Sequence, residues 1–567
     1  MEPVDLSTCV AISSSLEQIL KGSFGPNALQ CMITSASGNI LISSDGATIL
    51  KSLHLSHPVG RIVINSVLAH CKLTGSGAKT FILIVTEALR CMRCYCSQNL
   101  LKLSQAFYEI QTRILPNSII PQLMENSTLI EIKNRSDMKK ACINIVRTSM
   151  NGKLNQGALE ILASLTTDLI FKNCKNTMNL HKNVLELIDN FDNFCVKAVG
   201  LPKCESRIVP GMLLEREFLV QSDVAKSLDE SHKFIIMDCI LGDEKPESQA
   251  TFSFKHDEDF QNAYRHQSSS VQTFLHHCKR NNVQLIISTN RVSEMASFFC
   301  KTFGISVIHF VAMEAASHLA RLSRIHMIHS IEELLSGDNI GDAKYCRLFS
   351  LGSKRYIHIC LEGNNGDVHQ AIVCAPIQGL CNQYYMAVLS SVKTIRMWLD
   401  GKTVPLSSDQ LHQPTNISDT VSRNCYNTAA CIAGGGYTEL LLHKIFTEYS
   451  ATVSNTLIKQ ACMILSKALL YIPMTLHENS NSIKSRHNSF LRLLPEIESK
   501  LRSRRVVGID TMSGELWDNK DTIIVEPIVS KYLLLNNVLL LLQQLLRLNV
   551  IVGVTKIPDT DSDQSDD

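Results

Sequence analysis

The sequence predicts an α/β multidomain protein in which an α/β module lies between two helical regions. In the first 130 residues, Leu, Ile and Val recur at three- and four-residue spacing, most clearly at 62–68 and 80–89, which is the period of an amphipathic helix. From about residue 233, apolar runs of strand length alternate with helical patterns, which favours an α/β module. From about residue 385 the chain is again mainly helical. A domain built from both ends of the chain would explain this layout.

Each predicted strand is a short apolar run. The predicted strands are 39–43, 234–241, 283–288, 305–311, 356–360 and 371–374. The helical patterns between them are 270–279 and 292–303. The succession of strand, helix, strand and helix through the middle of the chain is what predicts the module.

Length and composition exclude several classes of protein. With 567 residues, the chain is long enough for about four domains, or three larger ones. Hydrophobic residues make up 45% of it, which excludes a disordered chain, and a net charge of +2 gives no basic field for nucleic acid. The 20 cysteines are spread along the chain, and no basic-then-apolar signal segment follows the N-terminus. We therefore expect reduced thiols in a cytosolic protein.

Two segments near the end of the sequence need separate treatment. The run 532–554 is rich in Leu and Val, but polar residues interrupt it. A membrane span would leave those polar groups in hydrocarbon, so we expect a packed helix and no membrane span. Residues 557–567 contain five aspartates and little apolar content, which is typical of a disordered acidic tail.

Four glycine-containing turns are the strongest local signals. They are 22–26, 44–48, 75–80 and 433–436, and the last two open helical patterns. Glycine loops at helix starts leave backbone N–H groups free, which suits phosphate binding. Taken singly, each is more often only a turn. The third is not a P-loop, because Ala78 stands directly before Lys79 and Leu73 stands where the earlier glycine is required.

The order of these turns is more specific than any one of them. The segments 23–26, 44–50, 57–58 and 75–80, in this order, resemble the nucleotide-binding half of the equatorial domain of group II (TCP-1) chaperonins. The resemblance continues through 148–153, 205–211, 304–328, 434–436 with Glu439, 472–479, 508–510 and 525–527 with Lys531. It covers nearly the whole chain. It implies a chaperonin-like subunit with helical equatorial, mixed intermediate and α/β apical domains.

The resemblance also implies domain boundaries. The equatorial domain would combine 1–130 with 401–556, and the intermediate domain would combine 131–203 with 345–400. The apical domain would be 204–344, and the acidic tail 557–567 would follow.

The chain departs from the family at the positions that serve hydrolysis. Where the family has Gly-Asp-Gly-Thr-Thr, Ser76 replaces the aspartate, and Ala78 and Lys79 replace the threonines. The alignment places Ser390 at the family's second essential aspartate. A serine cannot serve as a carboxylate that orients or deprotonates water, and losing such a group costs roughly 10² to 10⁴ in rate. The sequence therefore predicts no catalytic residue.

The resemblance nevertheless implies a nucleotide site. Its predicted residues are Gly25, Pro26, Asp45, Gly46, Gly75, Ser76, Gly77, Ala78, Lys79, Thr80, Gly435 and Glu526. Asp45 is the one family carboxylate kept in these loops, and it is the candidate metal ligand. ATP or ADP is the implied ligand, while the lost acid puts Mg²⁺ in doubt.

The ending 78–80, the lost acid and the segment 54–58 resemble one divergent branch, the chaperonin-like Bardet–Biedl syndrome proteins. This implies help in folding or assembling a ciliary trafficking complex, the BBSome, whose subunits would be clients. The implied partners are sister chaperonin-like proteins of the branch and the cytosolic chaperonin containing TCP-1. The implied location is the cytoplasm, at the ciliary base or centrosome.

Two functions stay open from the sequence. An ATP-driven chaperone is supported by the retained glycine loops and Asp45, and an assembly factor with weak or no hydrolysis is supported by Ser76 and Ser390. We favour the second, because the loss of two acids is hard to reconcile with turnover. Lys79 has two interpretations of similar weight: a cation for a phosphate, or an exposed lysine at a helix start.

Overall fold

The architecture is that of a computed structural model, which describes residues 2–551 except 4, 28, 35–39, 96–98, 126–127, 132–134, 175–179, 222–230, 243–256, 362–367, 400–427, 481–489 and 518–523. The predicted acidic tail, 557–567, lies outside the described residues.

The chain divides into two compact units. The first combines Met1–Asn155 with Lys393–Asp567, and the second is Gln156–Val392. The first unit therefore draws its residues from both ends of the chain. The finer division into three domains that the resemblance implies stays a prediction.

The first unit is mainly helical. Its helices are Leu6–Lys21, Gly46–Ser52, Pro58–Thr74, Ala78–Tyr95, Leu100–Glu109, Ile120–Glu125, Arg135–Met150, Tyr437–Thr452, Thr456–Glu478, Leu494–Arg502 and Ile528–Arg547, with a π-helical stretch at Ile110–Ile119. Its strands are Glu2–Pro3, Cys31–Thr34, Ile40–Ser43, Thr128–Glu131, Thr428–Ala433, Gly508–Ile509, Leu516–Trp517, Val525–Pro527 and Val550–Ile551. Thr428–Ala433 lies between Val525–Pro527 and Thr128–Glu131 in an antiparallel three-stranded sheet.

One helix, Ala78–Tyr95, forms the centre of the first unit's core. Six consecutive side chains, from Phe81 to Thr86, have no exposed surface. A stretch of helix that is buried on all sides must be surrounded by protein. The helices Leu6–Lys21 and Thr456–Glu478 pack against it, and the start of this central helix is thereby held in place.

Two helices of the described chain, Thr456–Glu478 and Ile528–Arg547, are long and apolar enough to cross a membrane. In each, 61% of the most apolar window is buried inside the structure. Core helices pass the same test of length and composition, so these two are weak support for a membrane span. Ile528–Arg547 covers most of the run 532–554 and is packed.

The second unit contains a seven-stranded mixed sheet. Its strand order is Met212–Leu214, Lys354–Leu361, Gly341–Leu351, His232–Met237, Val283–Ser288, Ser306–Ile308 and Phe218–Val220. A three-stranded sheet has Cys195–Val199, His369–Ala375 and Arg207–Pro210 in that order. The helices of the unit are Gln156–Asn173, Leu180–Asp189, Phe191–Phe194, Asp257–Arg280, Glu294–Phe303 and Met313–Ser323, and Gln378–Leu399 begins within it.

Alternating side chains give the seven-stranded sheet two buried faces. In the strand His232–Met237, Ile235 and Met237 belong to one hydrophobic cluster, whereas Phe234 and Ile236 belong to another. Successive side chains of a strand point to opposite faces. A run of apolar residues is therefore needed where both faces are covered.

The predicted strands of the module are present, but two of them are shorter than expected. Val283–Ser288 agrees with its prediction, whereas 234–241 ends at Met237 and 305–311 is reduced to Ser306–Ile308. The apolar residues Leu241 and Val311 are buried in loops, where the backbone turns to other partners. At these positions apolar composition indicates burial and not a strand.

Candidate functional site

A cavity of about 280 Å³ lies in the first unit where the four glycine turns meet. It is lined by all twelve residues predicted for the nucleotide site, which are Gly25, Pro26, Asp45, Gly46, Gly75, Ser76, Gly77, Ala78, Lys79, Thr80, Gly435 and Glu526. The structure thus brings together segments from both ends of the chain. That they bind a nucleotide stays a prediction.

The turn 75–77 gives the cavity its curved wall. Gly75 ends the helix Pro58–Thr74 with φ 78°, and Gly77 has φ 96°. A β-carbon on Gly77 would lie 3.0 Å from His70 Nε2. Glycine is favoured here because both its positive φ and the close histidine exclude larger residues. The helix Ala78–Tyr95 begins directly after this turn, so its first backbone N–H groups lie beside the cavity.

A second close backbone contact joins two other loops of the cavity. A β-carbon on Gly152 would lie 2.4 Å from the carbonyl oxygen of Gly25. Only a glycine permits this approach. The segment that ends in Lys153 is therefore held against the first glycine turn.

Asp45 is engaged as a helix cap. Its Oδ2 accepts from the Thr48 N–H at 2.9 Å and from the Thr48 hydroxyl at 2.8 Å, at the start of the helix Gly46–Ser52. Its Oδ1 lies 3.8 Å from Lys153 Nζ. Burial raises the pKa of this carboxyl, but Lys153, the Thr48 bonds and Lys79 together hold it below its ordinary value.

Lys79 lies across the start of the same helix. A β-carbon on Gly46 would lie 2.8 Å from Lys79 Cγ, and the Lys79 ammonium group donates to the Ser23 carbonyl. Burial lowers the pKa of Lys79 to about 8, and Asp45 opposes that shift. The freely exposed lysine does not agree with the structure, because the Lys79 side chain is partly buried and packs on Gly46. Its role as a cation for a phosphate stays a prediction.

The donor set does not fit a divalent metal ion. Mg²⁺ prefers oxygen ligands and is held through carboxylates, and both oxygens of Asp45 have partners near two ammonium groups. In the part of the chain that the structure describes, no group of three or more His, Cys, Asp or Glu residues could hold a metal. The metal role of Asp45 stays a prediction that this geometry does not favour.

An ion group closes another side of the cavity, in which Lys531 and Glu439 are buried and Glu526 is partly exposed. Lys531 Nζ lies 2.7 Å from both Glu439 Oε1 and Glu526 Oε2. Burial lowers the pKa of Lys531, but the two carboxylates raise it more, so it lies above its ordinary value. Burial also raises the pKa of Glu526. The group joins two helices and a strand.

Sequence reasoning left out many residues that line the cavity, among them the titratable side chains of His70, Lys153, Glu439 and Lys531. Lys153, Glu439 and Lys531 lie in segments that carry the family resemblance, and that resemblance could have identified them as site residues. No sequence signal could have identified His70, because a histidine inside a helical pattern usually belongs to a core.

Ser390 lies on the helix Gln378–Leu399, in the second unit. Its hydroxyl donates to the Ala387 carbonyl at 3.1 Å, one turn earlier on the helix. Its equivalence to the family's second aspartate stays a prediction.

Comparison with known families identifies the family to which the glycine turns of this chain belong. The model of the TCP-1/cpn60 chaperonin family matches residues 16–556. The chain belongs to this family. As a chaperonin, it has that fold, with the mixed helices and sheets of a multidomain α/β protein.

Within the family, the predicted resemblance of this chaperonin to the chaperonin-like Bardet–Biedl syndrome proteins is confirmed by its similarity to the tenth of them. It is 25% identical over 421 residues to the human BBSome complex assembly protein BBS10, and the match covers 69% of this chain. The mouse protein of the same name is also 25% identical, over 423 residues. The chain matches only 57% of the length of the human relative and 58% of the mouse one.

The chaperonin is also similar to T-complex protein 1 and thermosome subunits. It is 20% identical to the T-complex protein 1 subunit gamma of Caenorhabditis elegans, covering 96% of this chain and 92% of that one. It is 22% identical to the thermosome subunit beta of Aeropyrum pernix, covering 90% and 85%. The similarity to these subunits therefore extends over nearly the whole chain.

Proposed function

We propose that this chaperonin is an assembly factor that helps to fold or assemble the BBSome and hydrolyses ATP weakly or not at all. One observation supports weak or absent hydrolysis: the cavity keeps the glycine turns of a nucleotide site, but lysines lie near Asp45, the carboxylate of its loops. The similarity to BBSome complex assembly proteins supports the assembly role.

The loss of hydrolysis follows from what the loop residues can do. Hydrolysis needs a base or an orienting carboxylate for water, and this contributes about 10² to 10⁴ in rate. Ser76 offers only a hydroxyl. The carboxylate of Asp45 caps a helix and faces Lys153. Neither residue is a base held ready for a water molecule.

A bound nucleotide would supply negative charge and would join the loops of the cavity. The glycine turns and the N-terminus of Ala78–Tyr95 would hold its phosphates through backbone N–H groups. Lys79 would add a cation. These residues bind and orient, and none of them has to transfer a proton.

The finer architecture and the partners belong to the same proposal. The chain would have equatorial, intermediate and apical domains, and it would act in the cytoplasm at the ciliary base or centrosome. Its partners would be sister chaperonin-like Bardet–Biedl proteins, the cytosolic chaperonin containing TCP-1, and BBSome subunits as clients.

ATP hydrolysis by the purified chain with Mg²⁺ tests the proposal, beside a Ser76→Asp/Ser390→Asp variant. We expect no turnover above background in the parent, whether or not the variant gains any. Ser56→Asp is the matched control, because Ser56 is exposed and does not line the cavity, and it should behave as the parent.

Clear turnover in the parent would contradict the proposal. It would favour the second candidate, an ATP-driven chaperone with an active ATPase cycle. The observation on its side is that Asp45 keeps its place at the cavity, where it could do the work assigned to the missing acids.

A further inference from the structure

The glycine-loop end of the cavity carries more positive than negative charge. Asp45, Lys79 and Lys153 all line it, and the charges of both lysines act on the Asp45 carboxyl. The side chains of Lys153 and Asp45 are 15% and 24% exposed. Around Asp45, two ammonium groups and one carboxylate leave a local net charge of +1, while Glu439, Glu526 and Lys531 line another side of the cavity. Charges act more strongly in a partly buried place than in bulk water.

We propose that this cavity binds a nucleoside di- or triphosphate without a divalent metal ion, and that Lys79 and Lys153 take the place of the metal's charge. This inference deepens the proposed function, and it rests on one part of it, namely that the cavity is a nucleotide site.

The contacts of Lys79 leave it able to serve a phosphate. An ammonium group has three donors, and the Ser23 carbonyl accepts from one of them. The side chain is held by its packing on Gly46. The cation is therefore positioned before a ligand arrives, and less side-chain entropy is lost on binding.

A buried ammonium group gains from an anion. Burial, and to a lesser extent the neighbouring Lys153, lower the pKa of Lys79 to about 8, while Asp45 opposes that shift. A phosphate beside the Lys79 ammonium group would add negative charge that favours its charged form. A divalent cation in the same place would meet two like charges, and it would have to displace Lys153 from Asp45.

The rest of the lining suits a nucleoside better than a bare phosphate. Ile472, Leu476, Ile509 and Leu534 also line the cavity, and apolar walls with a few polar groups are typical of sites for organic ligands. The volume of about 280 Å³ is near the small end of such sites, which begin at about 300 Å³.

Calorimetric titration of the full chain with ADP, once in EDTA and once in excess Mg²⁺, tests the inference. We expect binding in EDTA, and an affinity in Mg²⁺ that is equal or lower. Pyrophosphate in EDTA should bind at least about tenfold more weakly than ADP. Binding of ADP only with Mg²⁺, or no binding in either buffer, would overturn the inference. Pyrophosphate as tight as ADP would overturn its nucleoside part.

Variants assign the effect to the lysine. Lys79→Gln should lose about tenfold or more of the EDTA affinity, the range for a hydrogen bond to a charged group. Lys51→Gln makes the same charge change at an exposed position on the helix that Asp45 caps, and it should keep the parent affinity. An unchanged affinity in Lys79→Gln would contradict the role of Lys79. Melting temperatures without ligand show whether each variant is folded.

Restoring the family residues should restore the need for metal. We expect Ser76→Asp/Lys79→Thr to bind ADP better with Mg²⁺ than in EDTA, and binding independent of Mg²⁺ would count against the inference. Co-purification of BBSome subunits with the parent chain is a separate measurement that tests the assembly role. Subunits captured by a chain that binds no ADP would overturn this inference alone, whereas ADP binding without captured subunits would overturn the assembly role alone.

Discussion

His70 shows at the scale of one residue how burial sets charge. Its side chain is 3% exposed, it lies against Gly77, and the Asn537 amide donates to its Nδ1 at 3.0 Å. Burial lowers its pKa to about 4. The ring is therefore neutral at physiological pH and adds no charge to the cavity.

The pH dependence of stability should reveal this histidine. Its pKa is about 4 in the folded chain, against an ordinary value near 6.5, so its contribution is complete above pH 6.5 and is lost as the pH falls towards 4. Each unit of pKa difference corresponds to about 1.4 kcal/mol. His70→Gln should therefore lose less unfolding free energy than the parent between pH 7 and pH 5, as measured by urea unfolding.

Burial also lowers the pKa values of other histidines. The test therefore compares the pH dependence of unfolding free energy between the parent and the variants. His54→Gln changes an exposed histidine of the same unit and should keep the parent's slope. Equal slopes in the parent and in His70→Gln would show that His70 is not the group responsible.

At the scale of elements, the ion group of Lys531 joins three pieces of secondary structure. Lys531 lies on the helix Ile528–Arg547, Glu439 on Tyr437–Thr452, and Glu526 on Val525–Pro527. The side chains of Lys531 and Glu439 are 11% and 4% exposed. Such a buried pair need not add stability as a whole, but removing one partner leaves an uncompensated charge.

Lys531→Met should lower the unfolding free energy by about 3 kcal/mol, because two carboxylates then lose their cation. Adding Glu439→Gln should recover part of the loss, since one of the uncompensated charges is removed. Urea unfolding of the two single variants and the double variant measures this as a coupling energy. Additive losses would show that the residues are energetically independent.

At the scale of the whole molecule, the first unit exposes an apolar surface on a hairpin. Met32 on Cys31–Thr34 and Ile42 on Ile40–Ser43 are directly opposite each other, and they are 67% and 52% exposed. Nearby in the sequence, Leu29 is 71% exposed. Neighbouring exposed apolar groups make this hairpin a candidate contact surface.

Replacing the pair by opposite charges should reduce assembly without unfolding the chain. In Met32→Lys/Ile42→Glu the cross-strand pair remains favourable, so the melting temperature should stay within a few degrees. We expect the parent chain to sediment in a large particle in cell extract, and the pair variant should reduce its share of that particle. Leu101→Glu, at a residue 65% exposed on the helix Leu100–Glu109, is the control and should leave the particle unchanged. An unaltered particle in the pair variant would exclude the hairpin as a contact.

The order of motifs along the chain was enough to predict the family and twelve residues that line one cavity, and the alternation of apolar runs with helical patterns was enough to predict the α/β middle. Each of these depends on local signals: glycines at turns, apolar periods and the spacing between them. Strand ends were less predictable, because Leu241 and Val311 are as apolar as strand residues but are buried in loops.

Only the tertiary structure decided what the loop residues do together. The sequence left Lys79 open between an exposed lysine and a cation for phosphate, and the contacts with Ser23 and Gly46 show only that the side chain is not freely exposed. The tertiary structure also places Lys153 beside Asp45. The reason is physical: charge and pKa depend on which groups packing places within a few ångströms, and residues far apart in the chain meet only when the core has formed.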